Sequence, residues 1–335
     1  MKIFTYYYNY LIFLKIIPLL VWPLFCYSAD TQRNISLISE NDIYAPKAQD
    51  RHYTNGLRLS LGNSNLSWES LEPLLNTSSS TTYRDEIAIG HSIYTPENYI
   101  SPELQESDRP FAGWMYGEYT AIANTQITET AIGLSIGLVG SAALGRQIQT
   151  LNHSIINDPK PLGWDNQLNN EPAILLKYRQ SQFHPIAELG NTNLGLITRL
   201  GLNLGNVFTD AGAGMVLRLG SYLSNHELPI RIQPGISGNS TYIEVRNNRF
   251  DWQIFTEIQG RGVIHNIFLD GNTFNNSHSV RKKPFVWESS AGLVLSSGHF
   301  KHPLYLAFTL TWRSLEFELQ NGNNNFGSAL IGLQY

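Results

Sequence analysis

Cysteine is all but absent: the only one, Cys26, lies in the leading apolar segment, so the chain beyond it can form no disulfide and offers no thiol nucleophile or thiolate zinc site. Charge is sparse, at 15% of residues. Base does not exceed acid, which removes the footprint of a nucleic-acid binder. Past the leading segment no run approaches the roughly 20 consecutive apolar residues of a membrane helix. Gly, Tyr and Trp, by contrast, are plentiful.

The N-terminus carries what the remainder lacks. Lys2 precedes an apolar and aromatic run from Tyr6 to Tyr27, broken only by Asn9, Lys15, Pro18 and Pro23. This pattern reads as an export signal, with Tyr27-Ser28-Ala29 offering cleavage after Ala29; a retained anchor is the rival reading. Removing residues 1–29 deletes Lys2 and Lys15 and no acid, so the 23 basic residues become 21 against 27 acidic ones, a net charge of −6. Residues 30–335 then form one unit, with no domain boundary.

That unit alternates with period two. Leu194, Leu196, Leu200, Leu202 and Leu204 share one face, while Gly195, Arg199, Gly201, Asn203 and Gly205 share the other. The same holds for Leu304, Leu306, Phe308, Leu310 and Trp312 against Tyr305, Ala307, Thr309 and Thr311, and for Trp252, Ile254 and Ile258 against Gln253, Glu257, Gln259 and Arg261. Alternation alone does not separate a soluble sandwich from a membrane barrel. Long apolar faces, polar faces mixing charge with glycine, and a terminal strand ending on Tyr335 favour an all-β, transmembrane antiparallel β-barrel. Trp114, Tyr116 and Trp312 are expected in an aromatic girdle, and Asn76 to Thr82, Gly235 to Thr241 and Gly271 to Ser279 as polar loops.

One segment breaks the alternation. Ser141 to Ile156 carries Leu144, Ile148, Leu151 and Ile155 at helical spacing, with Gln149 and His153 on the opposite side and one turn apart. It is expected as a loop helix at the barrel rim. The apolar stripe should be covered by the rim, a neighbouring loop or lipid chains, and the polar side should present Gln149 and His153.

Ordered motifs surround this segment: Ser39-Glu40-Asn41-Asp42, Asp50-Arg51-His52-Tyr53-Thr54-Asn55-Gly56, Gly90-His91-Ser92-Ile93-Tyr94-Thr95-Pro96, Asp108-Arg109-Pro110-Phe111-Ala112-Gly113-Trp114, Gly145-Arg146-Gln147-Ile148-Gln149 with His153, and Gly163-Trp164-Asp165-Asn166-Gln167-Leu168. Over residues 36–172 the chain resembles the lipid A 3′-O-deacylases of Gram-negative outer membranes. The resemblance implies twelve strands, an active site between the barrel wall and an extracellular loop helix, lipid A of lipopolysaccharide as substrate amid outer-membrane lipids, and Ca²⁺ as cofactor. By position it implies His153 as general base, Gln149 one turn before it, Asn41 and Asp42 as a polar pair near the metal, and Thr54 at the calcium site. An acid after the histidine belongs to the pattern as well, with Asp158 the nearest candidate.

These residue types suit the chemistry. A neutral imidazole can take a proton from water near neutral pH, and Ca²⁺ prefers oxygen ligands and stabilises an oxyanion as a Lewis acid. Direct attack by water is favoured, because no nucleophile elbow is read. Taken singly, Asn55-Gly56 is an ordinary turn signal, and Asp108 with Arg109 reads as a structural salt bridge before Pro110. Two rival functions stay open: a non-enzymatic channel or surface-binding barrel, and an outer-membrane phospholipase.

Overall fold

The computed structural model describes residues 33–46, 51–64, 81–224, 228, 230–232 and 241–335. The expected leader, and most of the polar stretches at 76–82 and 235–241, lie outside the described residues. Twelve strands close one antiparallel barrel: β1 (Arg33–Asn41), β2 (His52–Ser64), β3 (Thr82–Thr95), β4 (Ala112–Asn124), β5 (Thr128–Val139), β6 (Glu171–Leu189), β7 (Thr192–Gly205), β8 (Phe208–Gly220), β9 (Phe250–Asn266), β10 (Phe285–Ser297), β11 (Leu304–Arg313) and β12 (Asn324–Gln334). Each strand pairs with its sequence neighbour, and β1 with β12 shuts the ring, Asn34 facing Gln334 and Asn41 facing Gly327. Closure leaves no strand edge to solvate, the condition for strands to cross a bilayer. Among the described residues no helix is long and apolar enough to cross one.

Alternation translates directly into sidedness. On β7, Leu200, Leu202 and Leu204 are exposed on the outer wall, while Arg199 and Asn203 are buried in the lumen. Ile254 and Ile258 of β9, Leu306 and Phe308 of β11, and Ile331 and Leu333 of β12 likewise face outward. A soluble sandwich would bury these apolar faces; here they form the lipid-facing band of a membrane barrel.

The lumen is held by charge. Arg58 reaches Glu86 and Glu118, both at 2.9 Å, and Lys177 and Ser135 also bind Glu118. Farther round, Glu288 takes Arg231 at 2.8 Å and Arg313 at 2.7 Å, and Glu257 takes Arg199 at 3.2 Å. Away from water these pairs are stable only as fully hydrogen-bonded networks. Arg231 belongs to the connection between β8 and β9, which leaves the end opposite the loop helix and whose described residues 228, 230–232 and 241–245 pack in the lumen. Leu228, Ile230, Ile232, Ile243 and Val245 pack there against Ile38, Ile197, Phe255 and Tyr305. Its backbone is pinned too: Ile232 N–H donates to Glu40 and Thr241 N–H to Glu86, both at 2.8 Å.

At the other end, the outer rim, stand the predicted loop helix α1 (Gly145–Ile156) and a single turn, α2 (Ile267–Asp270). Trp114 and Tyr116 are not girdle residues. They share the inward side of β4 with Glu118, stack on each other with ring centroids 4.3 Å apart, and close the mouth of the lumen with Tyr53, Tyr94, Phe208 and Phe268. Strand parity outweighs the aromatic's preference for the interface.

Candidate active site on the outer wall

β1 presents Asn41 outward, since Glu40, Ile38 and Ser36 face the lumen. Asn41 pairs with Asn55 across the ladder, and its side chain accepts from Ile43 N–H at 2.8 Å, capping the short turn Asp42–Tyr44. That turn buries Asp42, whose carboxylate accepts from Arg51 N–H at 2.6 Å. On β2 the register slips between Tyr53 and Asn55, so Thr54 is the extra residue of a bulge. The bulge lets Tyr53 turn inward, where its hydroxyl donates to Glu40 at 2.8 Å, while Thr54 Oγ1 lies 2.7 Å from Thr95 Oγ1. Asn41, Asp42 and Thr54 therefore gather at the rim ends of β1 and β2.

The helix is placed on the adjoining strands. His91, Ile93 and Gly113 lie on the outer side of β3 and β4, opposite in parity to the lumen residues Arg84, Glu86 and Glu118. His91 Nε2 hydrogen-bonds the Ala143 carbonyl at 2.7 Å, and Ile93 packs with Phe111, Trp164 and Ile148. Gly113 and Gly145 meet backbone to backbone: a Cβ on Gly113 would stand 3.1 Å from Gly145 Cα. A larger residue at Gly113 would require the helix backbone to give by a few tenths of an ångström. Gly145, Gln149 and His153 are the buried side of α1, pressed towards the barrel, while Leu144 and Leu151, the latter 56% exposed, point away.

This reverses one expectation. The stripe Leu144, Ile148, Leu151, Ile155 is not the docking face as a whole; only Ile148 joins the packed cluster. Leu144 and Leu151 are instead exposed, covered by neither the rim nor a neighbouring loop among the described residues.

The helix ends where the sequence Asn157-Asp158-Pro159 forces it to. Asn157 adopts the left-handed conformation (φ 58°), the Asp158 N–H donates to the His153 carbonyl at 2.9 Å, and Pro159 cannot continue the helix. The turn brings the Pro159 carbonyl within 2.6 Å of His153 Nδ1, and Asp158 Oδ2 to 3.5 Å. A carbonyl only accepts, so Nδ1 carries the proton and Nε2 is the basic nitrogen. Tyr99, from the connection between β3 and β4, sets its ring edge-on to His153 at 5.3 Å between centroids and donates its hydroxyl to Asp158 at 3.0 Å. The same connection reaches the first cluster: Glu97 pairs with Arg51 at 2.5 Å, and its N–H donates to Asp108 at 2.8 Å.

Arg109 does not pair with Asp108. Its guanidinium crosses the mouth to Glu316 at 2.8 Å. Burial alone would raise the Glu316 pKa, but Arg109, Arg313 and Arg261 outweigh it and hold the carboxyl at about 2. The expected Asp108–Arg109 salt bridge is not formed: Arg109 pairs with Glu316, and Asp108 accepts the Glu97 and Arg109 N–H groups. Gly133-Leu134-Ser135-Ile136-Gly137 does spell Gly-x-Ser-x-Gly, which the sequence reading passed over. It is no elbow, because Ser135 sits mid-strand in β5 with its hydroxyl on Glu118.

The whole chain, not only its first half, follows a known pattern: residues 12–335 match the family described as outer membrane protein LpxR. The chain belongs to the LpxR family. LpxR from Salmonella typhimurium shares the fold, with a TM-score of 0.72 at 21% identity, over 90% of this chain and 99% of that one. Two other barrels are far less alike. The beta domain of the Bordetella autotransporter BrkA has a TM-score of 0.38 at 10% identity (91% and 98% covered), and the translocator domain of NalP from Neisseria meningitidis 0.39 at 9% (96% and 93%). No curated protein sequence matches the chain. As an LpxR-family barrel the protein resides in the bacterial outer membrane, with α1 at the rim and its buried side on the outer wall.

Three residues of this LpxR-family site escaped the sequence reading in their present roles: Tyr99, Trp164, and Asp158 as a neighbour of the His153 ring. The Asn-Asp-Pro helix stop was a legible signal for Asp158. Gln149 was expected on an open polar side, where loss of packing could not explain its loss. It is instead only 1% exposed and accepts the Trp164 indole N–H at 2.8 Å.

Proposed function

We propose that the protein is a calcium-dependent hydrolase that removes an ester-linked acyl chain from lipid A by 3′-O-deacylation in the outer membrane. Family membership supports the substrate. The observation that carries the chemistry is the orientation of His153, whose Nδ1–H is spent on the Pro159 carbonyl and whose Nε2 is basic, on a helix side pressed to the lipid-facing wall. An acyl chain and a general base are then in the same medium.

Among the described residues no three His, Cys, Asp or Glu side chains gather as a metal cage. Ca²⁺ does not require one. It accepts one carboxylate with neutral oxygens, which the buried Asp42 carboxylate, with Asn41 and Thr54 at the same rim ends of β1 and β2, would offer. Bound there, the ion would supply positive charge for the oxyanion that forms at the scissile carbonyl. His153 takes a proton from the attacking water at Nε2 and returns it to the leaving sugar hydroxyl. The Pro159 carbonyl and Asp158 keep Nδ1 protonated and steady the imidazolium during that exchange.

The channel reading has little to support it, since the described residues of the connection between β8 and β9 pack into the lumen. The phospholipase reading uses the same site and is separated by substrate. Mass spectrometry of lipid A from cells expressing the protein should show loss of one ester-linked acyl chain. Intact lipid A alongside released lysophospholipid would replace lipid A by phospholipid as the substrate.

A further inference from the structure

Trp164 sits in the short turn Gly163–Asn166, within a motif to which the proposed chemistry gives no task. Its ring is buried, 5.1 Å between centroids from Phe111, and it fills the space over Gly145, where a Cβ would come within 2.5 Å of it. Its Nε1 donates to Gln149 Oε1. An indole N–H can only donate, so the carboxamide must turn its oxygen towards Trp164, and the opposite amide orientation is excluded. The NH₂ end is thereby committed to another direction. Gln149 Nε2 is buried and makes no hydrogen bond among the described residues. A buried donor left unmet is unfavourable, yet the fold holds this one rigidly, one helical turn before His153.

We propose that Trp164 is a positioning residue: it locks the Gln149 carboxamide so that its nitrogen is presented as a hydrogen-bond donor to the carbonyl oxygen of an acyl ester held beside His153. This rests on the hydrolase reading above. A neutral, fixed donor at this place is complementary to a carbonyl oxygen that gains negative charge, whereas a cationic or hydroxyl-rich ligand gains nothing from it. A purely structural pair would need only the Gln149 oxygen.

The two roles separate by substitution. Trp164→Phe keeps the ring and deletes the N–H, freeing the amide to rotate; Gln149→Glu keeps an acceptor for the indole and deletes the NH₂ donor. Both are assayed for fatty acid release from lipid A in detergent, on protein that shows the heat-modifiable gel mobility of a folded barrel. Each should lower kcat by about 10- to 100-fold with KM within about twofold, somewhat less than loss of an oxyanion donor costs elsewhere, and in Trp164→Phe, which adds no charge, the pH limb of His153 should be unmoved. The double variant should be no slower than Gln149→Glu alone, because both act on one group. Wild-type kcat in folded Gln149→Glu overturns the proposal, and so does wild-type kcat in folded Trp164→Phe. Should Trp164→Phe fail to fold, Gln149→Glu decides alone. A wild-type protein that releases no fatty acid removes the hydrolase reading and this role with it, whereas an active wild type with fully active variants removes only this role.

Discussion

The lumen and the outer wall are built from similar polar residues to opposite ends. Inside, carboxylates and guanidinium groups meet in shared networks: Glu118 alone takes Arg58, Lys177 and Ser135. Outside, under α1, a directional bond sets the orientation of individual groups, as the Pro159 carbonyl does for His153 Nδ1 and the Trp164 indole for Gln149 Oε1. A network of many partners tolerates no movement and does no chemistry. A group fixed at one atom leaves its other atom to act on something else. In this barrel the stabilising charge and the proposed reactive side chains are thus separated by the thickness of one sheet.

If that separation holds, a change at the wall should alter rate without stability, and a change in the lumen the reverse. The largest effect is expected at His153. His153→Ala should lower deacylation by on the order of 10² to 10⁴-fold, the usual share of a positioned base, while the protein keeps its heat-modifiable mobility. In the wild type the rate should rise with pH as the imidazole loses its proton, and this limb should vanish in the variant. Near-normal turnover by folded His153→Ala would return α1 to a structural role.

The converse test lies in the lumen. Glu118→Ala leaves Arg58 and Lys177 buried beside each other, and removing one partner of a buried ionic network costs about 3–5 kcal/mol. The temperature at which the folded gel form is lost should fall, with turnover per folded molecule unchanged. A drop in turnover at unaltered stability would show that the two regions are coupled.

Asp42→Ala should cost a further activity term, several kcal/mol of charge stabilisation if it holds Ca²⁺, and chelation with EDTA should slow the wild type to a similar rate. Full activity in EDTA would remove the metal from the mechanism. The smallest effect is expected at Gly145→Ala, whose methyl meets the Trp164 ring at 2.5 Å. Overpacking of this kind costs about 1–3 kcal/mol. It should displace α1 and reduce turnover while the barrel's unfolding temperature stays put, which a protease cutting only in the β5–β6 connection would detect.

Most of the scaffold was legible in the chain, because period-two alternation is a local property and the bilayer imposes its sidedness on every strand. Leu200, Leu202 and Leu204 could face outward only as a set. The helix was legible in extent but not in orientation: helical spacing shows which residues share a side, not which side meets the protein, and here the side with Gln149 and His153 is the buried one. Trp114 and Tyr116 were misread for a related reason, since an aromatic near a strand end is favourable on either side and only parity with Glu118 decides. His153, Gln149, Asn41, Asp42 and Thr54 are candidates through ordered motifs alone. That Asn41, Asp42 and Thr54 come to the same rim depends on strand register and a bulge, neither of which any short window of sequence contains.

The contact between Gly113 and Gly145 places α1 outside the barrel, and this sets how a substrate would be counted. A site on that wall is reached by sliding within one leaflet, so the encounter frequency follows molecules per unit area of membrane and the two-dimensional diffusion of the lipid. Diluting vesicles in buffer should leave turnover per barrel unchanged. Diluting the substrate with inert lipid in the same leaflet should lower it in proportion.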